Sequence, residues 1–376
     1  MKKYLIINDL GNGGAEILNI GLYHNLKFDA IFTLQQNVDY DTNGINVINL
    51  SRGGKVSILN FPKLIYRLYK HLQPNDVLIA SLYKSIVVAF LCNLFLVKPN
   101  LIFWIHSDIT IDLNSKFKKW LMKFIFNNKC SIVVNSEKAK LDVVKQLNTP
   151  ENKINVIYNS FDANQIKLLG EEKLEDDLFD HIKAFPKMIC IGRFNRLKGQ
   201  LELIEVVADL KKKNFIIHLI LIGKGESEQM LRDAANQLGV VDFVHFLGQK
   251  KNIYPYLKQC DLLVSASRSE GFGNVLVEGL LSGIPVISAD IDNGPREILA
   301  PETNLIYRTT TEEYATYGIL MPSFTNNAAN KIWVDIIYEI FSNGRIKEYQ
   351  NIGLTYANLF DKHHIMPKWE DLLKEK

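Results

Sequence analysis

Short apolar runs alternate with longer amphipathic stretches along most of the chain, the pattern of an α/β protein. Lys3–Asn8 predicts a strand, Gly11–Gly14 a turn, and Ala15–Leu26 a helix with Ile17, Leu18, Ile20 and Leu22 on its apolar side. Asp29–Leu34, Val47–Leu50, Val77–Ala80, Leu101–His106, Ser131–Asn135 and Ile154–Tyr158 predict further strands. Helices are expected over Phe61–His71, Ser85–Leu96, Phe117–Phe126 and Glu137–Leu147. The charge-dense stretch Glu171–Asp177 lacks periodicity and reads as a linker or surface excursion. The rhythm then restarts, with strands over Met188–Gly192, Ile216–Ile222, Asp242–Phe246, Leu262–Ala266 and Pro285–Ser288. Helices over Gly199–Lys212, Ser227–Leu238, Tyr254–Gln259 and Asn274–Leu281 separate them, and the tail from Ala328 reads as helical. The expectation is two α/β domains, each a parallel sheet with helices on both faces. Ligands of such sheets sit beyond the carboxyl ends of the strands, here in a cleft between the domains.

The length of 376 residues suits two or three domains. With 47% hydrophobic and 23% charged residues, the chain is an ordinary globular protein rather than a disordered or fibrous one. A net charge of +3 is too small to imply a polyanion, and with no recognisable motif it disfavours a nucleic-acid binder. The charge is unevenly divided, however. Up to Asp162 there are 19 Lys+Arg against 12 Asp+Glu, a net of +7, while the remainder carries 25 against 29, a net of −4. Cys92, Cys130, Cys190 and Cys260 are isolated in sequence and read as buried apolar fillers in a reducing compartment. The histidines are scattered apart from His363-His364, so no metal is expected. Tyr4–Ile7 is shorter than the ~7–15 apolar residues of a signal h-region. The longest apolar run, Ile86–Val97, is interrupted by Asn93 and falls short of the ~18 residues of a spanning helix. A cytoplasmic protein is expected.

Candidate chemistry sits where strands end. Gly11-Asn12-Gly13-Gly14-Ala15-Glu16 follows a strand and opens a helix. Glu16 stands where the dinucleotide fingerprint needs glycine, so a tight turn and a phosphate contact at the helix N-terminus account for it equally. Gly192-Arg193-Phe194-Asn195-Arg196-Leu197-Lys198-Gly199 brings three cations to a helix N-terminus. An anion among them satisfies both, and a diphosphate suits the Arg fork and the Lys point charge. Glu270-Gly271-Phe272-Gly273-Asn274 leads into a helix carrying Glu278, with free backbone N–H groups for an anion and two carboxylates for sugar hydroxyls. Two weaker candidates follow. His106 ends an apolar strand, where a half-buried structural histidine is nearly as good a reading, and Gly223-Lys224-Gly225 is either a nucleotide cradle or a turn.

In this order the residues resemble the retaining glycosyltransferases of the GT-B fold, family 4, over nearly the whole chain. The marks are Gly192-Arg193 with Lys198-Gly199, Gly223-x-Gly225, Phe246-Leu247-Gly248, and the Glu270–Glu278 segment running on to Gly283-Ile284-Pro285-Val286. Asp292-Asn293-Gly294-Pro295-Arg296-Glu297, Tyr317–Pro322 and Gly13-Gly14-Ala15-Glu16 resemble members that build bacterial envelope polysaccharides. The resemblance implies two Rossmann-like domains facing a central cleft. Residues 1–165 would be the acceptor domain, 166–350 the nucleotide-sugar domain, and 351–376 helices returning to the first domain.

The resemblance also implies roles. Arg193 and Lys198 bind the donor diphosphate, Glu278 the ribose, and Glu270 lies by the transferred sugar. The backbone of Gly271, Phe272, Gly273 and Asn274 meets sugar hydroxyls and phosphate. Gly223 belongs to the nucleotide cradle and the loop with Gly248 contacts the base. His106, Gly13 and Gly14 form the first domain's wall of the site. The implied donor is a nucleotide sugar, a UDP-sugar, used as co-substrate without a cofactor. The implied acceptor is a saccharide, alone or on a polyprenyl diphosphate. Gly279 stands where alanine is more usual, which loosens its helix slightly. A non-catalytic nucleotide-sugar-binding subunit and a nucleotide-sugar epimerase share this architecture. The joint presence of Arg193, Lys198, Glu270 and Glu278 argues against the first, and the carboxylate spacing against the second. Lys116–Phe126 and Phe61–Lys70 mix cations with aromatics at helical spacing. They suit either packing on their own sheet or peripheral attachment to an anionic membrane at the inner face of the cell membrane.

Overall fold

Two seven-stranded sheets carry the chain. In the first, β1 (Lys3–Ile7), β2 (Ala30–Thr33), β3 (Val47–Asn49), β4 (Val77–Ser81), β5 (Asn100–Ile105), β6 (Ser131–Val134) and β7 (Ile154–Val156) lie in the order β3-β2-β1-β4-β5-β6-β7. Every pairing in it is parallel. The computed structural model describes the whole chain except Asn12, residues 38–41, Asn43, residues 52–55, residues 107–112, Asn114, residues 175–176, Asn327 and residues 375–376. Its inner strands read as nearly unbroken apolar runs because helices cover both faces of a parallel sheet. One face packs Phe103, Ile125 and Phe126 into its core, and the other packs Ile79, Trp104 and Trp369.

The second sheet contains β8 (Lys187–Ile191), β9 (His218–Ile222), β10 (Val244–Phe246), β11 (Leu262–Ser265), β12 (Val286–Ala289), β13 (Glu313–Tyr314) and β14 (Ile319–Met321), in the order β10-β9-β8-β11-β12-β14-β13. It departs from the expected wholly parallel sheet at its edge, where β13 runs antiparallel to β14. The cause is a short connection: the Ala315 N–H donates to the Gly318 carbonyl at 2.9 Å, and a link that short returns the chain only as a hairpin.

Met1–Ser160 with His363–Lys376 form one compact unit, and Phe161–Lys362 the other. The division therefore falls at 160 and 362 rather than at 165 and 350. The unanticipated helix Ala163–Leu169 explains the first shift, because it packs on the helices Tyr254–Gln259 and Asn274–Ser282 of the second unit. The helix Lys362–Lys374 supplies Ile365, Met366, Trp369, Leu372 and Leu373 to the first unit's core. A second unanticipated helix, Leu178–His181, follows directly on the charged stretch read as a linker, of which residues 175–176 lie outside the described residues.

Cys92, Cys190 and Cys260 are buried as expected, whereas Cys130 is half-buried, beyond the end of the helix Lys116–Asn127. Gly279 does more than loosen its helix. A Cβ there would lie 2.4 Å from Leu263 Cδ2, so glycine lets the helix Asn274–Ser282 settle onto β11. Trp369 is 1% exposed and meets Trp104 edge-on at 4.8 Å between ring centroids. Trp369→Ala is expected to cost the first unit about 3–5 kcal/mol in urea unfolding, with Trp369→Phe costing clearly less.

Candidate functional site

In the second sheet the chain builds outward from β8 through β9 to β10, then returns to start β11 on the other flank of β8. Loops leaving β8 and β11 are thus neighbours at the switch point, where open α/β sheets bind ligands. The two backbones touch. Gly199, at φ +69°, lies against Ala266, and a Cβ there would stand 2.2 Å from the Ala266 carbonyl oxygen. The Arg268 N–H donates to the Leu197 carbonyl at 2.7 Å. This contact brings Lys198 Nζ to 2.5 Å from Glu270 Oε1, to which Ser267 Oγ also donates at 2.6 Å. The Lys198 and Glu270 side chains are 25% and 14% exposed, so the pair is open to a ligand without being fully solvated. Arg193 and Arg196, on the same loop, are exposed and form no ion pair among the described residues.

Beyond Glu270 the chain turns at Gly271, buries the Phe272 ring against Phe360, and enters the helix Asn274–Ser282 through Gly273 at φ +94°. Gly273, the N-cap residue, has no side chain with which to cap it. The N-terminus of a helix directs backbone N–H groups outward, an arrangement that favours anions. Glu278, one turn along, is half-buried, and Tyr254 OH donates to its Oε1 at 3.3 Å. Burial pushes the Glu278 carboxyl up to about 7, and the tyrosine bond offsets only part of that.

The loops after β9 and β10 are stitched to the same place. Gly192 N–H donates to the Ile222 carbonyl and Gly223 N–H to the Gly248 carbonyl, at 2.9 and 3.0 Å. A Cβ on Gly223 would lie 2.0 Å from the Gly192 carbonyl oxygen, and one on Gly225 2.2 Å from that of Phe194. Glycine here is what lets three strand-end loops pack backbone on backbone. The buried Phe194 ring meets Phe246 edge-on at 6.0 Å beneath them.

In the first unit, His106 follows β5 with its ring 4.1 Å from that of Trp104. Its Nε2 lies 3.3 Å from Ser81 Oγ, which donates to Asn19 Oδ1 at 3.1 Å. That direction makes Nε2 the protonated nitrogen and leaves Nδ1 a buried acceptor with no partner among the described residues. Burial pushes the imidazole down to about 3, so it is neutral. Gly13 caps the helix Gly14–Leu26, and Glu16 folds its carboxylate back over it, 2.2 Å from where a Gly13 Cβ would stand. The chain's own anion covers that helix N-terminus. Asn12, in the same turn, lies outside the described residues.

Of the residues singled out in the sequence, the second unit brings Lys198 to Glu270 and gathers Gly223 and Gly248. Gly271, Phe272, Gly273 and Asn274 join Glu270 to Glu278 in one continuous segment. Three partners were missed. Ser267 had a signal, a hydroxyl at a strand end three residues before a carboxylate. Ser81 and Tyr254 had none, because each contact is made across elements far apart in the chain.

The folded-state value of Glu278 lies above its ordinary 4.5. The second unit is therefore more stable with this group protonated, and it loses stability as pH rises from about 4.5 to about 7. A carboxyl NMR titration is expected to place the Glu278 midpoint near 7, and Tyr254→Phe to move it higher.

Residues 30–165 match the family described as Glycosyltransferase Family 4, and residues 175–317 that described as Glycosyl transferases group 1. The chain is 26% identical over 377 residues to the N-acetylgalactosamine-N,N'-diacetylbacillosaminyl-diphospho-undecaprenol 4-alpha-N-acetylgalactosaminyltransferase of Campylobacter jejuni, covering 96% of each chain. It is 24% identical over 324 residues to the amylovoran biosynthesis glycosyltransferase AmsD of Erwinia amylovora, covering 79% of this chain and 83% of that one. Among solved structures, Anabaena HepE in complex with UDP superposes over 100% of both chains with a TM-score of 0.82 at 21% identity. The two doubly wound sheets are those of the GT-B fold, and the chain belongs to the family 4, group 1 glycosyltransferases.

Proposed function

We propose that the chain is a retaining, metal-independent transferase that moves a hexose or N-acetylhexosamine from a UDP-sugar to a saccharide on a polyprenyl diphosphate, in envelope polysaccharide assembly. The observation that carries this reading is the Lys198–Glu270 pair at the switch point, on the same side of the sheet as the exposed Arg193 and just ahead of the N-terminus of the helix Asn274–Ser282. Arg193, Lys198 and the N–H groups at Gly273–Asn274 form a cationic seat for a diphosphate. A seat of this kind stabilises charge that grows on the leaving group. In the resting site Glu270, held by the Ser267 hydroxyl, keeps the Lys198 ammonium in place. A bound diphosphate takes the ammonium over and frees the Glu270 carboxylate for sugar hydroxyls. Glu278 accepts from the ribose hydroxyls when ionised.

The reaction breaks the bond between C1 of the sugar and the β-phosphate oxygen, and the electron pair stays on the UDP. The acceptor oxygen bonds to C1 from the face the UDP leaves, and its proton passes to the departing phosphate oxygen. No covalent enzyme intermediate is required. The activity for which the Campylobacter relative is named, transfer to a diphospho-undecaprenol-linked sugar, supports the lipid-linked acceptor, and the UDP in the HepE structure supports the donor class.

A lipid-linked acceptor calls for attachment at the inner face of the cell membrane, and the helix Lys116–Asn127 is suited to it. Phe117, Trp120 and Phe124 are exposed and form a ladder of rings 6.0 and 6.3 Å apart. Lys116, Lys118, Lys119 and Lys123 flank them, and the helix has no acidic residue. Each such lysine contributes about 1 kcal/mol near an anionic surface.

Lys198→Ala and Arg193→Ala are each expected to lower sugar transfer by ~100-fold or more with circular dichroism unchanged. Normal transfer rates in both purified variants would sink the assignment. Flotation with phosphatidylglycerol vesicles at low salt is expected to carry the protein upward, and Trp120→Ala to weaken that binding. A wild-type protein that stays at the bottom rules the attachment out.

A further inference from the structure

Behind the Gly271–Asn274 segment lies a buried charge cluster to which the proposed chemistry assigns no role. Arg296 is 3% exposed on its side chain and forks onto two carboxylates. Its Nη2 and Nε lie 2.5 and 3.3 Å from the two Asp290 oxygens, and its Nη2 and Nη1 lie 2.8 and 3.0 Å from the two Glu313 oxygens. Nη1 also donates to Thr303 Oγ1 at 2.9 Å, and the Thr309 N–H donates to Asp290 Oδ2 at 2.7 Å. Arg308 pairs with Asp292 at the rim. Replacing such a set by apolar residues is often neutral or stabilising, so stability is a poor reason for it. What two bidentate forks supply is a defined geometry.

The geometry defined is a turn. Asp290 and Arg296 stand at the two ends of the segment that links β12 to the helix Pro295–Leu299, and their pairing closes it. Inside it Asn293 and Gly294 both take positive φ, +61° and +111°. Gly294 presses on the segment between the two glutamates: a Cβ on it would stand 1.5 Å from the Phe272 carbonyl oxygen. Nothing but a hydrogen fits there. On the other side the Phe272 ring is buried against Phe360. The Phe272 peptide is thus held between an aromatic contact and a turn that is itself locked by charge.

We propose that the Asp290–Arg296–Glu313 cluster fastens the Gly271–Asn274 backbone through Gly294, and that Arg296 is a positioning residue for sugar transfer. The second half of this inference rests on the transferase reading, and the first half does not. A displacement of about 1 Å at a reacting centre is enough to cost ~100-fold in rate. The cluster therefore acts on turnover while touching no substrate, and donor binding keeps Arg193, Lys198 and Glu278 and loses only the share held by the N–H groups at Gly273–Asn274.

The test compares wild type with Arg296→Lys, which keeps the charge and loses the forks, and Gly294→Ala, which keeps the ion pairs and puts a methyl against Phe272. Amide hydrogen exchange of the unliganded protein is expected to rise about tenfold at residues 271–274 in both variants, with β8 and β9 unchanged. The kcat for sugar transfer is expected to fall ~10–100-fold, and the donor KM to rise by a smaller factor, since Arg193, Lys198 and Glu278 still hold the donor. Unchanged exchange at 271–274 in folded Arg296→Lys overturns the fastener. Raised exchange with unchanged kcat overturns the positioning role. Raised exchange in a protein whose wild type transfers no sugar from any nucleotide sugar leaves the fastener standing and defeats the transferase reading instead.

Discussion

Backbone contact between the loops that leave β8 and β11 is the constraint on which the charged site depends. Gly199 lies against Ala266 with no room for a side chain, and the Arg268 N–H binds the Leu197 carbonyl. Lys198 and Glu270 meet because their backbones already do. The reverse account fails on magnitude. A partly exposed Lys–Glu pair contributes about 0–1 kcal/mol, too little to draw two loops together against their conformational entropy. The ion pair is a consequence of packing, so breaking it leaves the contact between the loops in place. Gly223 against Gly192 and Gly225 against Phe194 repeat the arrangement for the loop after β9.

Burial treats the candidate polar groups differently. The Glu278 carboxyl is lifted into the neutral range because its one direct partner among the described residues is a neutral hydroxyl. The His106 ring is held uncharged by the same desolvation acting on a base. Arg296, by contrast, is kept charged in the interior by two carboxylates at fork distance. The second unit thus buries one charge that its partners make permanent and one carboxyl that titrates near neutrality.

Much of this was legible in the chain. Apolar runs such as Leu5-Ile6-Ile7 and Leu219–Ile222 announce strands covered on both faces, and glycines at their ends announce close turns. Arg193, Lys198, Glu270 and Glu278 were conspicuous because cations and carboxylates recur at those turns. Other features were not legible, each for a physical reason. The helices Ala163–Leu169 and Pro295–Leu299 are too short for periodicity to register. Strand β13 has only two residues and exists through its partner β14. Tyr254 on Glu278 is a contact between helices, invisible to local pattern, and Gly294 against Phe272 joins loops 22 positions apart that only the fold brings together.

The helix Lys362–Lys374 has a consequence for how the chain is finished. It supplies Trp369 and four more apolar side chains to the first unit's core, yet it is made only after the whole of the second unit. The second unit, Phe161–Lys362, is one uninterrupted stretch. Synthesis proceeds from the N-terminus, and domains close as units when their residues are complete. The first unit to be started is therefore the last to be completed. While the second is being made, Trp104 and its neighbours wait with one wall of their core missing. Loss of this helix thus damages not the unit that precedes it in the chain but the one begun before that.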